Sequence, residues 1–464
     1  DLRIRMTGRE DQFTDAPDRV GRLTTGNPPG YSPSMTVRIP LIAVFTLLLV
    51  LAPTVVHAGG FSNPDTGVRR MGMFAVMAKS DDPTTVFHNP AGMIWLEGTH
   101  LYHAQSWFIV DFGARMYDSQ GTLHPGHEIK PDLNVGALPF LAVTTDFGGI
   151  EWFRMGLAVY APNAYGAKMP KDEPTRYHAT DVLFLASRAT LAAAFQVTPK
   201  FTIGVSADLV NVLLTAKRYM NPLVLNDPDQ RFAGDAVLSP FDAKLSISGH
   251  GWSYAWNAGL LLRPTERFSI GAMFASGSPI VLRGNVDLRQ ADGVKVHTRQ
   301  RTEFSIPFTL RAGINWEFVE DFEFAADIFY WHYQIFQEQR TTLEDEIMGM
   351  NAFVDPKNYG NSWAWNAGLL YRVIPQVEVM AGFQMDFTPI PTSTYTLDNP
   401  SRDQLGVGLG VRWQVHRKVR IGLAMVRNWF QLADIQDSQS IPPTNVKGHA
   451  SNFEAGFEVD WKIR

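Results

Sequence analysis

The chain has 464 residues, a net charge of −5 and 12% aromatic residues. Length and composition leave open one large domain or two smaller ones, while the weak, mixed charge and the lack of a lysine or arginine run exclude a nucleic-acid surface. Cysteine is absent, which excludes disulfides, thiolate catalysis and cysteine metal sites.

The first predicted element is a secretory signal peptide at residues 35–58. Arg38 precedes an apolar run from Leu41 to Ala52, and small residues close the segment. The run is shorter than the roughly 20 residues that a membrane-spanning helix needs, so a signal peptide is favoured over a single membrane anchor. Residues 1–34, which begin with Asp instead of Met, are then interpreted as an extension upstream of the true start.

Residues 59–97 follow and lack the alternation of a strand. They contain two helix-start signals, each with capping side chains ahead of a proline, and these are Ser80-Asp81-Asp82-Pro83 and Asn89-Pro90-Ala91-Gly92. Such signals alone predict only capped turns, because Asn-Pro turns are common. Their meaning depends on the region that follows.

Residues 98–464 alternate with period two. From Phe453 to Ile463, apolar residues alternate with polar residues or glycine, and residues 377–387 and 306–318 repeat this with few exceptions. Such alternation predicts strands with one face in an apolar phase.

The lengths of the connections favour a membrane barrel over a soluble sandwich. Short connections are predicted at 148–150, 198–200, 264–266, 320–321, 374–376 and 416–418, and long polar ones at 219–243, 337–361, 388–403 and 431–449. Outer-membrane barrels have short periplasmic turns, long extracellular loops and an even strand number. The sequence therefore predicts an all-β fold, a transmembrane antiparallel β-barrel of about fourteen strands.

Aromatic residues support this fold by clustering near the short turns and the C-terminus, as an interfacial girdle does. They are Trp152, Phe195, Phe201, Phe268, Trp316, Phe318, Phe322, Trp413 and Trp461. The alternative is that they fill a soluble core. A barrel of this size leaves a lumen, so residues 59–97 are predicted to be a small helical hatch that plugs it, shaped by Asp81, Asp82, Asn89, Pro90, Ala91 and Gly92.

Two stretches carry a resemblance to a known family. The first runs from Gly60-Phe61 through Asp81-Asp82 to Asn89-Pro90-Ala91-Gly92, and the second from Gly156 to Pro162 and on to Thr175-Arg176-Tyr177-His178. They resemble FadL-type transporters, outer-membrane proteins of bacteria that import long-chain fatty acids and other hydrophobic compounds. The resemblance implies that the Asn-Pro-Ala motif belongs to the hatch. It also implies a kink in the third strand near Pro162, Asn163 and Gly166, with an ordinary loop start as the alternative.

The resemblance implies uptake without chemistry: loop capture, binding in the lumen, hatch rearrangement and lateral exit through the wall. The implied partners are a fatty acid or aromatic hydrocarbon, outer-membrane lipid and lipopolysaccharide, and the barrel-assembly machinery. The chain ends at Arg464 instead of on the aromatic residue common in barrels, so the assembly signal is imperfect or shifted inward.

Candidate ligand-binding residues come from the long connections and from the strands. Apolar candidates are Tyr219, Met220, Leu223, Val224, Leu225, Phe232 and Pro279 to Leu282, including Ile280, and basic candidates on the non-lipid side are Arg188, Arg311, Arg372, Arg412 and Arg420. The alternative for the arginines is pairing with acids such as Asp327, Glu378 and Asp386. An unpaired arginine would favour a fatty acid over an aromatic hydrocarbon.

Two other classes remain as alternatives. A barrel enzyme of the lipase type needs a nucleophile, base and orienting group together, and no spacing joins Ser187 to His100, His103, His178 or His332. The sequence contains no HxH or HxxxH cluster of the kind that would predict a metal site. A general porin would have an open lumen without a plug.

Overall fold

A computed structural model describes residues 61–126, 128–131, 134–232 and 239–463. The predicted upstream extension (1–34) and signal peptide (35–58) lie outside the described residues. Among the residues described, no helix is both long and apolar enough to cross a bilayer.

Nineteen strands are present in the described chain, joined in one sheet. They are β1 (Thr99–Met116), β2 (Asn134–Thr145), β3 (Phe153–Lys168), β4 (Asp181–Thr198), β5 (Phe201–Met220), β6 (Ala243–Thr265), β7 (Phe268–Ala275), β8 (Ser278–Arg289), β9 (Lys295–Ile306), β10 (Thr309–Val319), β11 (Phe322–Trp331), β12 (Glu338–Ile347), β13 (Met350–Pro356), β14 (Ser362–Ile374), β15 (Val377–Asp386), β16 (Gln404–His416), β17 (Val419–Phe430), β18 (Ala433–Ile435) and β19 (Val446–Lys462).

Fourteen of the described strands form a closed antiparallel barrel, as predicted. The wall consists of β1 to β7, β10, β11, β14 to β17 and β19. Strand β19 closes it by pairing with β1 from Lys462 opposite His100 to Val446 opposite Met116. Closure pairs the first strand with the last, and both would otherwise be free edges in the hydrocarbon. The predicted alternation holds, because Glu454 and Glu458 of β19 are buried while Trp461 is exposed.

The predicted short turns separate the wall strands at one end of the barrel. Six of the nine predicted girdle residues are well exposed near this end: Trp152, Phe195, Trp316, Phe318, Trp413 and Trp461. Two predicted loops are wrong in part. Residues 431–449 contain β18 and the start of β19, and residues 337–361 contain the hairpin β12–β13. This hairpin joins β8 and β9 through the pairing of β12 with β9 and extends the sheet at the long-loop end.

The short helices lie between the strands and ahead of them. The hatch contains helix Val68–Met73, helix Thr85–His88 and the 3-10 helix Pro90–Trp95. The long-loop end contains helix Pro222–Asn226 and 3-10 helices Pro174–Tyr177, Pro228–Phe232, Tyr333–Ile335 and Thr392–Thr394.

Candidate functional site

The hatch fills the lumen and touches opposite arcs of the wall. Helix Val68–Met73 packs against β14 to β17 and β19, while the 3-10 helix Pro90–Trp95 packs against β3 to β6. Most hatch side chains are fully buried. The predicted plug is therefore present.

Glycines of the wall allow the hatch backbone to approach closely. A methyl group added to Gly204 would lie 2.1 Å from the Ala91 nitrogen, and one added to Gly259 would lie 2.1 Å from Asn89 Oδ1. Both distances are far shorter than any van der Waals contact, so these wall positions require glycine to seat the Asn-Pro-Ala motif.

The capping predictions are confirmed for one helix and wrong for the other. Asn89 Oδ1 accepts a hydrogen bond from the Ala91 nitrogen at 3.2 Å and caps the helix that Pro90 opens, although that helix is 3-10. The other helix begins at Thr85 instead of Pro83. Asp82 accepts hydrogen bonds from the nitrogen and hydroxyl of Thr84, and this local turn displaces the helix start.

Asp81 caps no helix because it pairs with the wall. Its two oxygens accept hydrogen bonds from Arg412 Nη1 and Nη2 at 2.7 and 3.0 Å, and Glu378 accepts from the same guanidinium at 2.6 Å. A second hatch residue, Arg69, donates to Glu323 of β11 at 2.7 Å. These buried ion pairs fix the hatch near the short-turn end, and they occupy Arg412, which was predicted to bind ligand.

A pocket lies in the lumen between the hatch and the wall. Its lining is Ser62, Phe87, Pro162, Asn163, Arg188, Asn257, Met273, Ala275, Ser276, Ile306, Pro307, Thr309, Arg311, Trp331 and Tyr333. It thus combines residues of the hatch, of the predicted kink and two predicted arginines.

The two pocket arginines differ in their partners. Arg188 Nη1 donates to Asp208 at 2.9 Å. Arg311 Nε and Nη1 are buried without a hydrogen-bond partner, and the guanidinium carbon lies 5.0 Å from the ring centroids of both Phe87 and Phe329. Among the described residues, no carboxylate forms an ion pair with Arg311.

The other predicted arginines pair with acids, but not always with the predicted ones. Arg372 binds Glu323 and Glu378, and Arg420 binds Asp460. Asp327 instead accepts hydrogen bonds from the hatch nitrogens of Val76 and Met77, at 2.6 and 3.2 Å. Sequence alternation placed these side chains in the lumen but carried no signal for the partner that each one meets.

Strand β3 is irregular where the kink was predicted. Its register with β4 shifts between Tyr160 and Asn163, whereas Gly166 pairs regularly with Leu183. The ladder between β2 and β3 covers only 140–145 opposite 155–160, while β2 stays paired with β1 as far as Asn134. The wall therefore has no continuous β2–β3 ladder beyond Tyr160.

The start of the described chain lies against this irregularity. Ser62 forms an isolated bridge with Asn163, and the Asn63 nitrogen donates to the Pro162 carbonyl at 2.7 Å. Phe61 packs against Phe184, Phe304, Tyr333 and Phe336. Sequence reasoning did not identify residues 61–63 as pocket elements, because only the folded wall brings them to β3.

A second pocket lies among the long loops. Its lining is Tyr177, Arg218, Tyr219, Met220, Asn221, Val224, Leu225, Ile441 and Pro442. Four of the predicted apolar candidates line it, namely Tyr219, Met220, Val224 and Leu225. Leu223 is exposed to solvent and lines neither pocket. Ile280 and Leu282 are buried in the large lumen cluster, and Phe232 packs in a separate cluster beneath the loops.

Two of the histidines weighed for an enzyme, His100 and His178, have other partners. His100 binds Asp460 and the Glu97 carbonyl, at 2.7 and 2.9 Å. His178 Nδ1 lies 3.1 Å from Thr444 Oγ1. Burial and the charges of Arg231 and Arg218 hold the pKa of His178 well below its usual value, so it is neutral near pH 7. In the described part of the chain, no group of three His, Asp or Glu side chains could hold a metal ion.

Comparisons with known proteins agree with the barrel. The sequence model of the family described as outer membrane protein transport protein (OMPP1/FadL/TodX) matches residues 49–460. No individually curated sequence matches the chain.

Solved structures share the fold at low identity. A Pseudomonas aeruginosa FadL homologue is similar with a TM-score of 0.75 and 18% identity, over 87% of this chain and 100% of that one. The P. putida toluene transporter TodX gives 0.65 and 17%, over 86% and 98% of the two chains. The CymD monoaromatic hydrocarbon channel gives 0.64 and 15%, with the same coverage.

Proposed function

Because the chain belongs to the outer membrane transport family OMPP1/FadL/TodX, we propose that it imports long-chain fatty acids across the bacterial outer membrane. The family consists of channels for hydrophobic compounds, and its solved relatives include transporters titled for toluene and for monoaromatic hydrocarbons. The choice of a fatty acid over an aromatic hydrocarbon rests on the lumen pocket of this chain.

The observation that carries the proposal is Arg311, a buried cation in the pocket whose Nε and Nη1 have no hydrogen-bond partner and which forms no ion pair within 4 Å among the described residues. Burying an unpaired charge is unfavourable, and two aromatic rings compensate only partly, at about 0.5–2 kcal/mol per cation–π contact. A ligand carboxylate would supply the missing charge through charge-assisted hydrogen bonds. A neutral aromatic hydrocarbon would supply no negative charge to Arg311.

Apolar contacts would hold the rest of the ligand. Each buried methylene stabilises binding by about 0.8 kcal/mol, and the aromatic cluster around Phe61 and Phe184 lies beside the pocket. The pocket among the loops combines apolar residues with Arg218 in the same way. We therefore assign it the first capture of the ligand, before transfer to the lumen.

The exit is assigned to the irregular part of β3. Residues 62 and 63 cover it through the bridge to Asn163 and the hydrogen bond to Pro162. Withdrawal of this short segment would open a path from the pocket to the membrane without breaking the ion pairs that hold Asp81 and Arg69. The hatch rearrangement then involves residues 61–63 and not the whole plug.

The test compares a fatty acid with the alcohol of the same chain length. Wild-type protein should bind the acid more tightly, and Arg311→Met should lose about tenfold to a hundredfold in affinity for the acid, because one charge-assisted interaction is worth about 1.5–3 kcal/mol. Affinity for the alcohol should change little. Isothermal titration of detergent-solubilised protein measures both.

Arg263→Met is the matched control. Arg263 also lies over an aromatic ring, Trp95, at 4.9 Å, but near the short turns and away from the pocket. The Arg263→Met variant should bind both the acid and the alcohol as tightly as the wild type does. Equal binding of acid and alcohol by the wild type, or tight binding of toluene instead, would reject the fatty acid and leave the hydrocarbon channel.

A further inference from the structure

The sheet at the long-loop end presents a basic outer face. On β6, Trp252, Tyr254 and Trp256 point away from the lumen, with 61%, 78% and 55% of their surface exposed. Alternate residues of a strand share a face, so Lys244 and His250 of β6 lie on this same outer side. The face therefore continues from an aromatic belt into a charged region.

Neighbouring strands enlarge this region. Arg283 of β8 lies opposite His250, and Arg301 of β9 lies opposite Arg283. Farther from the belt, Arg289 lies opposite both Lys244 and Lys295. We call Lys244, Arg283, Arg289, Lys295, Arg299 and Arg301 the basic patch.

Acidic residues neutralise only part of the patch. Glu303 pairs with Arg301 at 3.0 Å and Glu344 with Arg299 at 3.9 Å, while Asp287 pairs with His297 at 2.7 Å. Among the described residues, no ion pair involves the remaining four cations. Like charges directly opposite each other on a sheet are destabilising, which indicates a face arranged for an anion.

The position of the patch identifies the anion. Aromatic residues mark the membrane interface of a barrel, and the long loops mark the extracellular side. Arg283 lies opposite His250, two residues beyond Trp252 or about 7 Å along the strand, and Lys244 lies about 26 Å beyond Trp252. The patch thus begins at the headgroups of the outer leaflet and extends away from the membrane.

We propose that the basic patch binds the phosphate groups of lipopolysaccharide. This lipid carries phosphates on its membrane anchor and on sugars farther out, which matches a patch that runs outward from the belt. Four of the six cations are arginines, which bind phosphate with two parallel hydrogen bonds. The patch faces away from the lumen, so this contact is separate from the transport path.

The test uses protein refolded without lipopolysaccharide and purified lipid A as the probe. The pair Arg283→Glu with Arg301→Glu should bind lipid A at least about tenfold more weakly than wild type, since each lost charge-assisted contact is worth about 1.5–3 kcal/mol. Wild-type binding should fall similarly when lipid A is dephosphorylated. Native mass spectrometry in detergent measures the bound fraction.

The matched control is Lys200→Glu with Arg267→Glu, which makes the same charge change on exposed turns at the opposite end. It should bind as wild type does. Heat-modifiable gel mobility verifies folding, and the neutral pair Arg283→Gln with Arg301→Gln replaces the reversal if that variant misfolds. Unchanged binding by a folded patch variant, or equal binding of dephosphorylated lipid A, would refute the site.

Discussion

Asn89 joins three parts of the molecule through one side chain. Its amide nitrogen donates to the carbonyls of Met77 and Leu260, at 2.9 and 3.1 Å, and its oxygen caps the helix at Ala91. Leu260 belongs to β6 and Met77 to the hatch, so the same amide holds the hatch together and attaches it to the wall. Only a side chain with both donors and an acceptor can make all three contacts.

Asn89→Asp tests this attachment with almost no change in shape. The carboxylate keeps the cap but faces two carbonyl oxygens, so we expect the hatch to lose at least about 2 kcal/mol of local stability. Hydrogen exchange of hatch amides, followed by mass spectrometry, should show faster exchange in residues 66–95.

The control is Asn226→Asp on an exposed loop helix, which should leave hatch exchange at the wild-type rate. Protection of residues 66–95 that stays unchanged in Asn89→Asp would show that the wall glycines alone hold the motif.

At the scale of single residues, a contact was predictable from the sequence when its two partners lie close together along the chain. The cap at Asn89 was predictable, because the donor it satisfies lies two residues away. The pairing of Asp81 with Arg412 spans 331 residues, and the unpaired state of Arg311 depends on where every lumen acid lies. No local pattern contains that information.

Among the elements, the short segment 61–63 and strand β3 form the most unusual contact. An isolated bridge, instead of a ladder, joins Ser62 to Asn163, beside the register shift of β3. A single bridge can separate at much lower cost than the continuous ladders of the remaining wall. This contact is therefore suited to a gate.

A disulfide would lock the proposed gate closed. Bridged residues have Cα atoms about 4.5–5.5 Å apart, within the range that a disulfide spans, and the chain has no cysteine to interfere. We expect Ser62→Cys with Asn163→Cys to take up little fatty acid when oxidised and to recover after reduction. Uptake of a radiolabelled fatty acid by intact cells measures the difference.

The single variants Ser62→Cys and Asn163→Cys provide the controls, because their uptake should not respond to reductant. If the oxidised double variant transports as fast as the reduced one, the ligand leaves by another path.

The wall strands were predictable because lipid and lumen impose opposite polarity on alternate residues. The hairpin β12–β13 was interpreted as a polar loop because this opposition of polarity is absent there. It lies at the long-loop end, where no lipid requires an apolar face, and its sequence from Glu338 to Ile347 is mostly polar. Period-two reasoning detects strands only where one side is apolar.

For the molecule as a whole, the hatch decides whether the barrel is a pore. The wall closes on itself through β1 and β19 and needs no hatch residue to do so. Inside it, the hatch is held by the buried ion pairs of Arg69 and Asp81 with the wall and by the Asn-Pro-Ala motif. Breaking a buried ion pair by removing one partner costs about 3–5 kcal/mol, so the plug should remain in place during transport.

Deleting residues 80–92 removes both Asp81 and the Asn-Pro-Ala motif while leaving every wall strand intact. We expect the shortened protein to fold as a barrel, to carry a large steady current in planar bilayers where the wild type carries little, and to lose coupled fatty acid uptake. The reason is that the deletion removes much of the hatch that packs against β3 to β6, which opens that side of the lumen to water. Heat-modifiable gel mobility verifies the barrel, and Asn226→Asp serves as the non-conducting control. A folded deletion variant that conducts no more than the wild type would show that residues 80–92 do not close the lumen. A large steady current through the wild type would instead support the general porin.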